Sequence, residues 1–393
     1  MIDPISSNGA GSLVEFQTHP TWIEFDDKAL RHNLALVRKR IKSGVMIIAS
    51  VKANAYGHGI IPVARILEEE GVEMLATGSF RDALAIRSEG IKTPILMLAG
   101  TLPSGVSELI RANLIPTIYD LDGAAVANSA SIEHGSNDPK PIFVKVDCGM
   151  GRVGINLEKA PELIQAINSM PNIWVQGIYT HLSFKDDVGM GFSKERLSLF
   201  YELLKSLENK GYDIPVTQAL ASSALSMDWM DSCTAICPGH LLYGLSSVNA
   251  SLTRLENFSP VCKAIKSKVI HVAEHGQDPQ PGSGGYHKDR TYSRTAVIPF
   301  GLNDGNRALN RDKNSAILFK GRRLPILGIS LEHLVFEVHD DLFIEVGDEI
   351  TIVGKDLSEK IELAEYANWQ ENSPLEALMA LSNRLPFKLV NEY

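Results

Sequence analysis

Between Trp22 and Tyr243, short apolar runs alternate with helical patterns, and that alternation limits the possible folds more than any other property of the chain. Val45–Val51 (VMIIASV) is continuously apolar, as a strand buried on both faces should be. Residues 60–70 (IIPVARILEEE) carry a helical pattern closed by Gly71. Met74–Gly78 then reads as a strand, Phe80–Glu89 as a helix ended by Gly90, and Pro94–Leu98 as a further strand. Ile142–Val146, Trp174–Tyr179 and Val216–Leu220 repeat the unit, each followed by a helical stretch. Such βα repeats imply a parallel sheet under helical cover. Their total length approaches the roughly 250 residues of a (β/α)8 barrel. An open doubly wound sheet gives the same periodicity, and spacing alone does not separate the two.

After about Ser259 the texture changes. Residues 261–273, 291–300, 315–320, 324–336 and 343–353 resemble strands, separated by turn-rich segments such as GQDPQPGSGG and GLNDGNR. Leu375–Leu385 is amphipathic and predicts a closing helix. The expected organisation is a flexible N-terminal arm over residues 1–19, an α/β domain over 20–258 and a mostly-β domain over 259–393. No internal repeat or low-complexity tract is present.

With 44% apolar and 22% charged residues the chain can bury a large core. A net charge of −9 gives no electrostatic case for nucleic acid or an anionic membrane surface. No apolar run reaches the roughly 20 residues that span a bilayer, and residues 1–19 lack the pattern of a signal peptide. Four cysteines (Cys148, Cys233, Cys237 and Cys262) are too few for a disulfide framework and lack metal-site spacing, so the expectation is a cytoplasmic protein without a structural metal.

The most informative segment is VKANAYGHG (Val51–Gly59). Lys52 stands at the C-terminal end of an apolar strand, the end at which α/β folds place their chemistry. Partial desolvation there lowers a lysine's pKa and suits it to Schiff-base formation. Gly57 and Gly59 permit close backbone approach, and Tyr56 offers a hydroxyl. Spacing alone leaves open a lysine that simply reaches into solvent.

VKANAYGHG closely resembles the pyridoxal-phosphate (PLP) lysine motif of the alanine racemase family. WIEFDDKALRHNL (Trp22–Leu34) is similar to that family's opening strand and helix, and VKVDCGMGRVGI (Val144–Ile155) to its Lys-Val-Asp-Thr-Gly-Met-Gly-Arg block. GIYTHLS (Gly177–Ser183), PGHLLYG (Pro238–Gly244), DEITIVG (Asp348–Gly354) and the Arg384-Leu-Pro386 ending follow in the family's order. The resemblance covers nearly the whole chain past residue 20. It implies an N-terminal (β/α)8 TIM-type barrel followed by a C-terminal mostly-β domain. It also implies PLP as cofactor, an amino acid as substrate, and a homodimer whose active sites are completed by the partner's β domain.

Residue by residue, Lys52 resembles the lysine that carries the cofactor and acts as one racemisation base. Tyr56 resembles a tyrosine that binds the cofactor phosphate, and Ser223 and Gly239 resemble further phosphate-binding positions, where a hydroxyl and a backbone N–H are the donors a phosphate needs. Tyr243 is grouped with them as cofactor-binding. His181 resembles the histidine beside the pyridine ring, and Arg152 the arginine near the substrate carboxylate. Lys145 resembles a lysine that is often carbamylated to hold that arginine, with an unmodified solvent-facing lysine as the other reading.

The chain departs from the family pattern at four places. Cys237 stands where an arginine faces the pyridine nitrogen, and a thiol is only a weak donor or acceptor. Leu302, in GLNDG (Gly301–Gly305), stands where a tyrosine supplies the opposite-face base. Leucine cannot carry a proton, and a two-base mechanism needs a group on each face of the α-carbon. Leu331 stands for a methionine near the substrate carboxylate, and Leu375 for a tyrosine that contacts the phosphate. These changes make the partner-side pocket more apolar and predict a substrate larger or more hydrophobic than alanine. Tyr286, His287 and Tyr292 are candidate substitute acids.

Three readings follow. The first is a PLP-dependent amino-acid racemase or epimerase with a rearranged second base, supplied by Cys237, a β-domain tyrosine or water. The second is another PLP reaction on the same fold, a decarboxylation or a one-face proton transfer by Lys52. The third is a non-catalytic PLP-binding or regulatory protein, which would have no use for a carboxylate-orienting Arg152.

Overall fold

The computed structural model describes residues 18–133, 138–182, 184, 187–246, 255–275, 293–307, 314–381 and 385–390. The N-terminal arm lies outside the described residues except for Thr18 and His19, and so do Tyr286, His287, Tyr292 and Arg384. Two compact units emerge: one from residues 30–55 and 63–259, the other from residues 1–29, 56–62 and 260–393.

The first unit settles the choice that periodicity left open. Its strands β1 (Met46–Ser50), β2 (Met74–Thr77), β3 (Ile95–Met97), β4 (Ile115–Ile118), β5 (Lys140–Asp147), β6 (Ile173–Tyr179), β7 (Val216–Ala221) and β8 (Ala235–Cys237) pair in parallel in chain order. β8 then pairs in parallel with β1 through Ala235–Met46 and Ile236–Ile47, which closes the sheet into a (β/α)8 barrel. Its interior is packed rather than hollow, as such barrels are. Ile48, Met74, Leu96, Ile115, Phe143, Tyr179, Val216 and Ala235, one from each strand, form a single buried cluster. Gly177 belongs to that packing: it lies opposite Phe143 in the β5–β6 register, and a Cβ there would collide with the Phe143 ring.

β4 and β8 were not among the expected strands. Both are short, and Pro116 in β4 disguises it as a loop. The Phe80–Ser88 helix starts on a Ser79 cap whose side chain accepts from Asp82 N, so its boundary agrees with the sequence.

The second unit is a ten-stranded, mostly antiparallel sheet. Thr21–Phe25, expected to open the α/β domain at residue 20, instead pairs antiparallel with Cys262–Lys268 and parallel with Phe387–Leu389. Local sequence predicts a strand there but not its partner. The single strand expected over 324–336 is two, Arg322–Ile329 and Leu334–Val338, because Ser330 N donates to His333 O and turns the chain. The expected strand over 261–273 likewise divides into Cys262–Lys268 and His271–Glu274. The closing helix is shorter than predicted, Pro374–Ala380, held at its start by a reciprocal Ser373–Glu376 capping box. It stops because Leu381 is already extended. Among the described residues, no helix is long and apolar enough to cross a membrane.

Candidate active site

The C-terminal ends of the barrel strands converge on one cluster of ionisable groups. Lys52 follows β1 and opens a short helical turn, Lys52–Gly57. That turn is left-handed: Ala53, Asn54, Ala55 and Tyr56 have φ of 54°, 53°, 53° and 55°, and Gly57 has 83°. Ala55 N donates to Val51 O at 2.9 Å, an ordinary i to i−4 bond on the wrong hand. Each non-glycine residue in this conformation costs roughly 1–2 kcal/mol. Backbone held against that cost is characteristic of functional sites. The sequence shows the glycines at positions 57 and 59 but gives no sign that two alanines, an asparagine and a tyrosine adopt the same handedness. Tyr56 is buried, and Lys52 is exposed.

Two neighbouring bonds fix the strand that bears Lys52. Ser50 N donates to Pro238 O at 2.9 Å, and the buried Tyr243 hydroxyl donates to Ser50 O at 3.1 Å. The segment after β8 is thereby clamped to the residues before the lysine. Tyr243, grouped by sequence with the cofactor-binding residues, thus also serves to hold the Lys52 strand.

Lys145 lies on β5 and is buried, which removes the solvent-facing alternative. Its Nζ stands 5.3 Å from the centroid of the Tyr179 ring, its neighbour in the β5–β6 register. Burial, with Arg152 and Lys52 adding positive charge, lowers its pKa to about 8, while Asp147 and Cys237 oppose the shift. Asp147, which sequence reasoning passed over, organises the next loop. Its carboxylate accepts from Gly149 N and Met150 N at 2.8 Å and from Arg152 N at 2.9 Å. Gly154, at φ 144°, is required because a Cβ would press on Asp147 N. The exposed Arg152 is therefore carried on a loop with a fixed path.

His181 follows β6 and is half-buried. Desolvation, then Arg152, Lys52, Lys145 and His240, lower its pKa to about 4, so its imidazole is neutral at physiological pH. Cys237 ends β8, where burial pushes its thiol up to about 11 against the pull of Lys52 and Lys145. It is a neutral thiol at neutral pH.

The loops after β7 and β8 are joined by Ser222. Its buried Oγ accepts from Gly239 N at 2.7 Å and Leu241 N at 3.2 Å. Ser223, expected to bind phosphate, is half-buried beside it in the Ser222–Leu225 turn, and Ser223 O accepts from the Ser226 hydroxyl at 2.8 Å. Two residues of this region escaped the sequence reading. Ser222 becomes meaningful only once β7 and β8 are neighbours, and His240 lies unremarked inside PGHLLYG. Desolvation and the charge of Lys52 lower the His240 pKa to about 4.

In the second unit the Gly301–Gly305 turn carries Leu302, which is 41% exposed. Leu302 N donates to Ser330 O and Asn303 N to Leu331 O, both at 2.9 Å, so Leu302 and the exposed Leu331 occupy paired turns. The buried Asp304 accepts from Gly301 N at 2.9 Å and lies 3.3 Å from the imidazole of His19. Leu375 is half-buried on the Pro374–Ala380 helix.

Among the described residues, Arg152, Lys52, Lys145 and His240 act electrostatically on His181, Lys52 acts on His240, and the Asp147 carboxylate acts on Lys145. Such a cluster is built for a ligand with several negative charges. A phosphorylated aldehyde cofactor together with a substrate carboxylate fits that donor set.

Residues 25–247 match the family model described as alanine racemase, N-terminal domain, and residues 262–389 match alanine racemase, C-terminal domain. The chain is 32% identical over 372 residues to the alanine racemase of Methanococcus maripaludis, covering 94% of this chain and 98% of the relative. It is 29% identical over 376 residues to that of Halothermothrix orenii, covering 95% and 98%. Among solved structures, alanine racemase of Clostridium difficile in complex with cycloserine aligns with a TM-score of 0.81 at 25% identity, covering 94% of this chain and 95% of that one. Alanine racemase of Bacillus anthracis with bound L-Ala-P aligns with a TM-score of 0.81 at 26% identity, covering 95% of each chain.

Proposed function

The chain belongs to the alanine racemase family, and from that premise we propose that it is a PLP-dependent isomerase acting at the α-carbon of an amino acid, with Lys52 carrying the cofactor. The observation that supports this most is the convergence of Lys52, Lys145, Arg152, His181 and Cys237 at the ends of the barrel strands, where burial and the charge of Lys52 act on Lys145, His181 and Cys237. We place the enzyme in the cytoplasm as a homodimer, as the family resemblance implies.

PLP, when bound, supplies the electron sink that lets an α-proton leave. The residues of this chain do the rest. Lys52 removes or returns the proton on its own side of the α-carbon. Arg152 holds the substrate carboxylate, on a loop that Asp147 keeps in place. A buried Lys145 of lowered pKa is a competent carbamylation site, and the carbamate would supply the anion that holds Arg152. Ser223 and Tyr56 would hold the phosphate. The neutral His181 would lie beside the cofactor ring, with the neutral thiol of Cys237 at its nitrogen.

A specific observation favours a second reading. Leu302 brings no proton to its turn, so Lys52 alone would give exchange at one face without inversion. Proton NMR of the PLP-loaded protein with L- and D-amino acids in D2O separates the two. Loss of the α-proton signal from both enantiomers with inversion supports the racemase, whereas exchange from one enantiomer alone supports one-face transfer. No exchange from either would contradict both.

A further inference from the structure

We propose that Phe192 and Arg196 together are a positioning device for Arg152: stacked on each other, they press on Gly149 and set the path of the loop that carries the arginine. The inference rests on the reading of Arg152 given above. The two side chains come from the helix Asp187–Asn209, which follows β6 and so starts at the end of the barrel where the ionisable groups gather. Four residues apart, they share one face of that helix. The Arg196 guanidinium carbon stands 5.0 Å from the centroid of the Phe192 ring. Beneath the pair lies Gly149. A Cβ at Gly149 would stand 3.0 Å from Phe192 Cζ and 3.6 Å from Arg196 Cδ and Nε, and its φ of 118° also calls for glycine.

Gly149 is a sensitive point of the loop. Its N–H and that of Met150 donate to Asp147 Oδ1, and Arg152 N donates to Asp147 Oδ2. Asp147 thus holds the loop by its amides, and the stack bears on it three residues before Arg152. The setting of Arg196 is not explained by bonding. Its Nε is buried and has no hydrogen-bond partner among the described residues, an arrangement that costs stability and calls for a reason. Its Nη2 reaches only the exposed Glu195, at 3.5 Å, and such a surface contact is worth little. The place of Arg196 over Gly149 and the Phe192 ring supplies the reason. Phe192 is itself 42% exposed, too open for a side chain whose use is to fill the core.

The test titrates the PLP-loaded full chain with L-alanine, L-leucine and their carboxamides, which lack the carboxylate charge, and follows the cofactor absorbance. Phe192→Leu and Arg196→Met are each expected to raise the Kd of the better-bound amino acid about tenfold, the worth of one charge-assisted hydrogen bond, and to leave that of its carboxamide unchanged. Arg196→Lys, which keeps a cation on a long stem, is expected to recover most of the loss. On an Arg152→Ala background, Phe192→Leu should cost nothing further, because the stack acts only through Arg152. Equal weakening of acid and amide, no weakening of either, or full additivity with Arg152→Ala overturns the role of the stack while leaving the PLP reading intact. If Arg152→Ala itself weakens the amino acid no more than the amide, or the unsubstituted protein binds none of the four, the reading of Arg152 falls and the role of the stack with it. Should Arg196→Met not fold, Phe192→Leu, at the more open position, decides alone.

Discussion

The Tyr243 hydroxyl donates to the carbonyl of Ser50, two residues before Lys52, at 3.1 Å from a fully buried position. Tyr243→Phe removes the donor and leaves a buried carbonyl short of a partner. The expected loss is about 1–3 kcal/mol of stability, read as a lower denaturant midpoint with an unchanged slope.

Lys145 carries a pH signature whose sign is fixed. Its folded pKa, lowered to about 8, lies below the 10.5 of an ordinary lysine, so the unfolded chain binds more protons between those values. Its contribution to stability is therefore unfavourable at and below pH 8 and is relieved as pH rises toward 10.5. Lys145→Met should abolish this rise in urea midpoint between pH 8 and 10, and an unchanged pH profile in the variant would contradict the assignment. The same lowered pKa predicts a carbamate signal in 13C NMR with labelled bicarbonate that Lys145→Met lacks.

Asp147 gathers three backbone N–H groups at the start of the Arg152 loop. Asp147→Asn keeps one acceptor oxygen and loses the charge. KM for the amino acid should rise about tenfold and the thermal transition should fall with it, since at least one charge-assisted bond worth roughly 1.5–3 kcal/mol is lost.

Leu302→Tyr restores a proton-bearing side chain at a position that is 41% exposed, where a larger residue meets little resistance. Stability should change by no more than about 0.5 kcal/mol. In D2O, exchange from the less reactive enantiomer should increase. In the parent enzyme, the paired leucines at 302 and 331 lead us to expect faster turnover of a larger apolar amino acid than of alanine. A preference for alanine over every larger substrate would contradict that expectation.

Much of this was legible in the chain. Val45–Val51 announced a doubly buried strand, Gly71 and Gly90 marked helix ends, and Lys52 stood where a barrel strand delivers its chemistry. What remained hidden depends on partners distant in sequence. Ser222 gains its role only when β7 and β8 lie side by side. Thr21–Phe25 reads as a strand, but its membership in the second sheet is decided by residues 262–268 and 387–389. The left-handed run from Ala53 to Tyr56 runs against the preferences of its own residues and so has no local signature. His240 looked like one more residue of an apolar motif until the charge of Lys52 was seen to act on it.

The central claim is that Lys52 carries PLP. Borohydride reduction of the PLP-loaded protein, followed by proteolysis and mass spectrometry, tests it most directly. The account predicts a single stable pyridoxyl modification on Lys52, absent after Lys52→Ala. Modification concentrated on Lys145 or elsewhere, or no stable modification, would contradict it.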